Sequence, residues 1–157
     1  MNMNKLTQKS REAIAAAQTF AQQYGNAQVD QIHLLYALAD QEGGLIRQLL
    51  QKMDVDPDAF VKSCEDEINR LPKVSGGGRE VDKIYITSDL DAALNEAEAL
   101  ASRMKDEFTS VEHLFLGLME RANGAVKRAL DAHHVKKDAL LKQMQAVRGN
   151  TRVTSEN

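Results

Sequence analysis

The chain has 157 residues, of which 20 are basic and 23 acidic, so its net charge is −3. No cluster of Lys and Arg with interleaved aromatic residues occurs, which argues against a nucleic-acid partner. Cys64 is the only cysteine, which excludes a disulfide framework and a thiolate zinc site. No apolar run reaches the length of a membrane span and the N-terminus has no signal core, so we expect no membrane contact and a cytoplasmic location.

The chain repeats itself at an offset of 80 residues. Residues 6–68 align with residues 86–148 without a gap and share 13 identities in 63 positions. Ungapped agreement over this length predicts a tandem structural repeat. The identical pairs include Thr7 and Thr87, His33 and His113, and Gly44 and Gly124.

The first helix of copy one is predicted from about Thr7 to Tyr24, and its counterpart from about Thr87 to Met104. Apolar residues recur at helical spacing through both segments. The threonine at each start can accept a backbone N–H as the N-cap. We therefore expect equivalent helices that open both copies.

The second helix is predicted to begin near Asp30, and its counterpart near Thr109 or Ser110. If Thr109 is the cap, "TSVE" forms a capping box in which Glu112 reaches back to the helix start. The glycine signals "GG" at 43–44 and "NG" at 123–124 are expected to end these helices.

Two further helices are predicted in each copy. The third occupies about 45–53 and about 125–133. The fourth begins at Asp56, with Pro57 in its first turn, and near Lys136 in copy two. The sequence therefore predicts an all-α fold made of two tandem four-helix repeats related by a pseudo-twofold axis.

A connector and a tail complete the predicted organisation. Pro72 and three glycines disfavour helix in a mobile connector between the copies, and the last residues are polar without apolar periodicity. The predicted boundaries are 1–71 for copy one, 72–85 for the connector, 86–148 for copy two and 149–157 for the flexible tail.

Glu112 and His113 stand side by side at the start of an apolar run, so they are candidates for metal binding or proton transfer. Neither His113 nor His33 belongs to an H-E-x-x-H motif or has a histidine four residues away, and the adjacent His133 and His134 point to different helix faces. These features argue against a metal site. They favour the interpretation that both histidines are buried and recur because the fold recurs.

The sequence contains no catalytic constellation. Neighbouring helical residues point about 100° apart, so Glu112 and His113 are poorly placed to act on one substrate atom. The "SGGGRE" stretch lacks the Lys-Ser/Thr that would engage phosphates and Mg²⁺. We therefore expect no enzyme activity, metal or cofactor in this chain.

A binding role is the stronger interpretation. Two copies related by a pseudo-twofold axis create a groove at their junction, with helix N-termini nearby. Glu112 has Ile32 as its counterpart in copy one and therefore breaks the internal symmetry. Such a residue is a candidate for a task beyond folding, although a capping role is equally compatible with its position.

Three stretches resemble the double Clp repeat at the N-terminus of the Clp family of ring-forming AAA+ ATPases. They are "LT" at 6–7, "HLLYAL" at 33–38 and "FTSVEHLFLGL" at 108–118. Within that family, "ALADQEGG" at 37–44 and "NRLPKVSG" at 69–76 are similar to the ClpB disaggregase branch. The resemblance covers nearly the whole chain.

This resemblance implies a domain that engages unfolded or aggregated polypeptide and delivers it to an ATP-driven homohexameric ring for disaggregation and refolding after heat stress. ATP and Mg²⁺ would bind in AAA+ domains beyond this chain, Hsp70-system chaperones would cooperate with the full protein, and the isolated domain would be a monomer. The residues 149–157 would begin the linker to the first ATPase domain. The implied substrate-binding residues are Thr7, Asp106 and Glu112, with Leu94 and Phe108 as groove walls.

The alternative within the family is the ClpC or ClpA type, whose domain docks adaptor proteins or, in ClpC, phosphoarginine-tagged substrates for proteolysis. Phosphoarginine recognition in that type uses a glutamate in each repeat. Ile32 occupies the copy-one place here, so at most one such site is expected.

Overall fold

A computed structural model describes residues 1–74, 85–149 and 151–157. The predicted all-α architecture is confirmed, with four α-helices in each copy among the described residues. Copy one contains α1 (Gln8–Gln23), α2 (Gln31–Asp40), α3 (Leu45–Lys52) and α4 (Pro57–Asn69). Copy two contains α5 (Ser88–Arg103), α6 (Val111–Glu120), α7 (Gly124–Ala132) and α8 (Lys137–Arg148).

Short polar side chains begin the first helix of each copy, as the sequence predicts. The hydroxyl oxygen of Thr7 accepts the N–H of Ser10 at 3.2 Å, and that of Thr87 accepts the N–H of Leu90 at 3.0 Å. Each bond satisfies an N–H that the helix itself leaves free. In α4, Asp56 is the N-cap and Pro57 takes the first position, where no N–H is required.

The structure selects Ser110 from the two caps that the sequence allows for α6, so the capping box that depends on Thr109 does not form. Ser110, not Thr109, is the N-cap, and His113, not Glu112, accepts the backbone N–H of the cap residue at 2.9 Å. Copy one has the same arrangement between Asp30 and His33, also at 2.9 Å. The imidazole nitrogen takes the place of the carboxylate in the usual capping box. The "TSVE" pattern does not indicate this, because it places a glutamate before the histidine.

The glycine signals also act differently from the prediction. Gly44 is the N-cap of α3 and Asn123 is the N-cap of α7, so "GG" and "NG" begin the third helices and do not end the second ones. Asn123 accepts the N–H of Val126 at 3.3 Å. Asparagine and glycine are both favoured N-caps, so the same dipeptides are compatible with either role.

The two copies exchange short extended segments at their junction. The strand β1 (Gln28–Val29) pairs in parallel with the strand β2 (Tyr85–Ile86), and Leu6 forms the equivalent parallel bridge with Thr109. The N–H of Thr87 donates to Val29 at 3.0 Å, and that of Thr7 donates to Thr109 at 3.1 Å. These bonds obey the offset of 80 and place the start of each copy against the second helix of the other.

One apolar core runs through both copies. It contains the first-helix alanines together with the leucines of α2 and α6, and Phe60 of copy one lies 6.4 Å from Phe115 of copy two between ring centres. Apolar burial of this kind is the main favourable contribution to folding. The junction is therefore part of the hydrophobic core.

Most of the predicted connector, residues 75–84, lies outside the described residues. The predicted tail begins after α8, and its residues 151–157 hydrogen-bond to the body of the domain. The domain boundaries themselves remain a prediction.

Candidate functional site

Asp106 is the centre of a buried polar cluster in the loop between α5 and α6. One carboxylate oxygen, Oδ1, accepts hydrogen bonds from Arg148 Nη2 at 2.6 Å and from the N–H of Val153 at 2.9 Å. The other, Oδ2, lies 2.8 Å from Nε2 of His113. Burial acts to raise the pKa of Asp106, but these three donors outweigh it and hold the pKa below its ordinary value. The carboxylate is therefore ionised at neutral pH.

His113 links this carboxylate to the start of α6. Its Nδ1 accepts the N–H of Ser110, so we assign the proton to Nε2, which donates to Asp106. Burial lowers the pKa of His113, against the raising effect of the Glu112 and Asp106 charges. The imidazole is thus a neutral bridge at pH 7.

Glu112 lies on the same helix turn and is only 5% exposed. Its Oε1 accepts a hydrogen bond from the hydroxyl of Ser110. Glu112 and Arg148 also line a small cleft with Leu45, Leu49, Met144 and Val147. Arg148 Nη1 is buried there without a hydrogen-bond partner in the described ranges 1–74, 85–149 and 151–157.

Thr7 joins the cluster through the backbone of copy two. Its N–H donates to the carbonyl of Thr109, and its hydroxyl donates to Ser10, whose own hydroxyl donates to the same carbonyl at 3.0 Å. The side chain of Thr7 is 5% exposed. Thr7 therefore fixes the start of α1 against the loop that precedes α6.

Phe108 lies in the same loop and is half-buried. The ammonium group of Lys5 lies 5.8 Å from the centre of its ring, within the range of a cation–π contact. The N–H of Phe108 and that of Glu107 both donate to the carbonyl of Val153, at 3.3 and 2.7 Å. This side of the loop is therefore in contact with the tail.

Leu94 lies elsewhere, in an apolar cleft between α1 and α5. Ile14 and Ala17 face it from α1, Leu90 lies one turn before it on α5, and Val29 and Leu34 complete the lining with Gln18 and Ile86. Leu94 itself is 8% exposed, whereas Ile86 at the rim is 38% exposed. The structure thus separates Leu94 from the polar cluster.

Of the five site residues predicted from the sequence, the structure brings together Thr7, Asp106, Glu112 and Phe108. Sequence reasoning missed Arg148, although the offset of 80 pairs it with the buried Ile68. A charged residue at a core position predicts an opposite charge nearby. That signal could have identified the Arg148–Asp106 ion pair.

The described ranges contain no group of three or more His, Cys, Asp or Glu side chains suited to hold a metal ion. In the same ranges, every helix is too short or too polar to cross a bilayer. Cys64 is buried in α4, where burial raises the pKa of its thiol above the ordinary range. The thiolate, which is the reactive form of cysteine, is therefore scarce at neutral pH.

The fold and the junction site define a class of helical domain built from two copies of one four-helix unit. Residues 5–133 match the family described as the Clp repeat (R) N-terminal domain, and the chain belongs to that family. The resemblance drawn from the sequence is therefore confirmed.

Among its relatives is the chaperone protein ClpB of Bacillus cereus, which is 40% identical over 157 residues. The match covers 100% of this chain and 18% of that protein, so the chain spans less than a fifth of its relative.

Two solved structures have the same fold. The N-terminal domain of Hsp104 from Candida albicans superposes with a TM-score of 0.84 at 20% identity, covering 98% of this chain and 97% of that one. A ClpV N-domain in complex with a VipB peptide superposes with a TM-score of 0.68 at 17% identity, covering 98% and 91%.

Proposed function

We propose that this chain is the polypeptide-binding N-terminal domain of a ClpB-type chaperone and that it engages unfolded or aggregated protein. The observation that carries this proposal is the apolar cleft between α1 and α5, which opens beside two exposed apolar side chains. Ile86 lines the cleft and is 38% exposed, and its neighbour Tyr85 on β2 is 67% exposed. Exposed apolar surface that borders a cleft is typical of a binding surface for other proteins.

The size of the cleft favours a flexible ligand. The cleft accommodates about 20 Å³, which is enough for part of one side chain and not for a folded element. Apart from Gln18, its walls are apolar residues of both copies, so an apolar side chain that enters it leaves water. Such side chains are accessible in unfolded and aggregated proteins and buried in native ones.

The polar cluster supplies the second part of the proposed site. Thr7, Asp106 and Glu112 are themselves buried and hydrogen-bonded, so they hold the loop before α6 in place and leave Phe108 partly accessible. We propose that the cleft, with Leu94, receives apolar side chains, and that the loop contacts the polypeptide beside them.

The names of the relatives support the wider role. Their description as ClpB chaperones agrees with delivery of polypeptide to an ATP-driven hexameric ring in the cytoplasm, with ATP and Mg²⁺ bound in AAA+ domains and Hsp70-system chaperones as partners. The complex of a ClpV N-domain with a VipB peptide is a precedent for peptide binding on this fold. The isolated domain would act as a monomer.

The cleft is tested by placing a charge at its rim. We expect Ile86→Asp to weaken binding of unfolded casein about tenfold, because a carboxylate in an apolar cleft loses hydration without gaining a partner. Leu141→Asp is the matched control, since Leu141 lies on α8 with the same exposure of 38%. Equal affinities of the two variants in fluorescence anisotropy would contradict the cleft as the binding surface.

The loop is tested by mapping casein onto the domain by NMR. We expect chemical-shift changes at Leu94 and Ile86 in the cleft and at Thr7, Asp106 and Glu112 beside the loop. Changes confined to residues remote from both regions would overturn the site assignment. Saturable phosphoarginine binding at both copies would instead favour the ClpC type. We do not expect it, because Ile32, the copy-one counterpart of Glu112, is apolar and fully buried.

A further inference from the structure

The tail after α8 lies against the loop that precedes α6, and main-chain bonds dominate the contact. The carbonyl of Val153 accepts the N–H groups of Glu107 and Phe108, and its own N–H donates to Asp106 Oδ1. The carbonyl of Glu156 accepts the N–H of Gln8, the first residue of α1, at 2.6 Å. The tail thus touches both copies at once.

Side chains of the tail contribute little to this contact. Val153 is half-buried, and the other residues from 151 to 157 are exposed. The ion pair between Arg11 and Glu156, 3.4 Å apart, is solvent-exposed and therefore weak. A segment held by a few hydrogen bonds with little apolar burial opens more readily than the core does.

In copy one, the equivalent loop binds the segment that follows α4. The N–H of Val74 donates to the carbonyl of Gly25 at 2.7 Å, and Asn26 Nδ2 donates to the carbonyl of Pro72 at 3.3 Å. Asn26 is the counterpart of Asp106 at the offset of 80. In both copies, therefore, the loop after the first helix binds the segment that follows the fourth helix, and the bonds involve main-chain atoms of that segment.

We propose that Gln8, Glu107, Phe108 and Asp106 form an edge that binds the main chain of a polypeptide, and that residues 151–157 are its intramolecular occupant, displaced when a substrate segment binds. This inference rests on the proposed function and adds a regulatory element to it. Apart from the exposed ion pair of Glu156 with Arg11, the bonds at Val153 and Glu156 involve only main-chain atoms of the occupant, so a non-helical segment of any sequence can supply them. Binding that does not depend on the sequence of the segment suits a domain that engages unfolded proteins of many kinds.

The occupant is tested by Val153→Pro in the chain of residues 1–157, because proline has no N–H to donate to Asp106. Thr154→Pro is the matched control, since it places proline one residue further on, at a main-chain N–H that makes no bond in the described residues. We expect hydrogen exchange at the Gln8 and Glu107 amides to become about tenfold faster in Val153→Pro and not in Thr154→Pro. Unchanged exchange at these amides in Val153→Pro would overturn the proposed hold on the tail.

Casein binding provides the second readout. We expect Val153→Pro to bind unfolded casein about three- to tenfold more tightly than Thr154→Pro, because the edge is then free. Faster amide exchange with equal casein affinity would overturn the competition and leave the proposed function intact. Absence of casein binding in both variants would overturn the proposed function, whereas the exchange result would still report on the tail.

Discussion

The two copies share a backbone but differ in charge at one buried place. Copy one has Asn26, Ile32 and Ile68 where copy two has Asp106, Glu112 and Arg148. In copy one the amide oxygen of Asn26, an uncharged acceptor, accepts a hydrogen bond from Nε2 of His33 at 2.8 Å. In copy two the same imidazole position contacts an ionised carboxylate that also binds Arg148.

Two of the three differences, Asp106 and Arg148, form one ion pair. A buried carboxylate needs an opposite charge, and Arg148 supplies it from the last turn of α8. This arrangement also lets Asp106 accept a hydrogen bond from the N–H of Val153. In copy one the direction is reversed, because the side-chain amide of Asn26 donates to the carbonyl of Pro72. The comparison teaches that the two copies differ where copy two holds the tail, while their scaffold is the same.

The constant scaffold is visible in the backbone. Gly25 and Lys105 have φ of 71° and 61°, and Asp54 and His134 have φ of 61° and 55°. Both pairs are related by the offset of 80. Three of these four residues are not glycine, although a positive φ disfavours residues with side chains. The two copies therefore have the same turn geometry with different residue types.

The largest expected effect comes from removing the charge that distinguishes copy two. Asp106→Ala should lower the free energy of unfolding by about 3–5 kcal/mol, because it leaves Arg148 buried without its partner. Asn26→Ala, the matched change in copy one, should cost about 1–3 kcal/mol, since it removes a neutral acceptor. Urea denaturation measures both, and equal losses would contradict the difference between the copies.

Acid should destabilise the neutral site of copy one. Burial lowers the pKa of His33 to about 4, against the opposing charge of Asp30, from an ordinary value near 6.5. Because the folded-state pKa is below the unfolded one, this stability is present above pH 6.5 and is lost as the pH falls towards 4, by about 3 kcal/mol in all.

NMR titration of the imidazole measures this pKa, and denaturation at pH 7 and pH 4 measures the loss. His33→Gln should have a smaller pH dependence than the unmodified chain, whereas His134→Gln, at an exposed position, should retain it. A pKa near 6.5 for His33 would contradict the role of burial.

A smaller effect is expected where the helices of copy two approach closely. A Cβ on Gly117 would lie 2.5 Å from the carbonyl oxygen of Ala93 and 3.1 Å from the Cβ of Ala97. Gly117→Ala should therefore cost about 1–3 kcal/mol through a backbone clash, despite the better helix propensity of alanine. Thermal unfolding provides the measurement.

The counterpart in copy one is Ala37, which is buried between helices that already accommodate a methyl group. Ala37→Gly should cost about 1 kcal/mol through lost helix propensity. A stabilising effect of Gly117→Ala would show that α5 and α6 can move apart.

The periodic features of the fold were predictable. Helical spacing and the Thr7 and Thr87 caps depend on a few neighbouring residues, and the offset of 80 follows from aligning the chain with itself; all appear as expected in the structure. The choice between Thr109 and Ser110 as the cap of α6 was left open, since a sequence pattern cannot show that His113 fills the role usually taken by glutamate.

The candidate site was predictable only in part. Glu112 could be selected because it breaks the internal symmetry near a helix start, and Asp106 through the resemblance to the Clp repeat, but the separation of Leu94 from them depends on how the two copies pack. Arg148 and Val153 join Asp106 from more than 40 residues away along the chain. Contacts at that separation have no local signal.

The sequence by itself determined the repeat, the helices and the apolar faces, because these follow from spacing and propensity within each segment. Only the tertiary structure decided which polar groups meet at the junction and that the tail binds beside them. The physical reason is that a buried charge is stable only with its partner in place, and the position of that partner is set by the packing of distant helices.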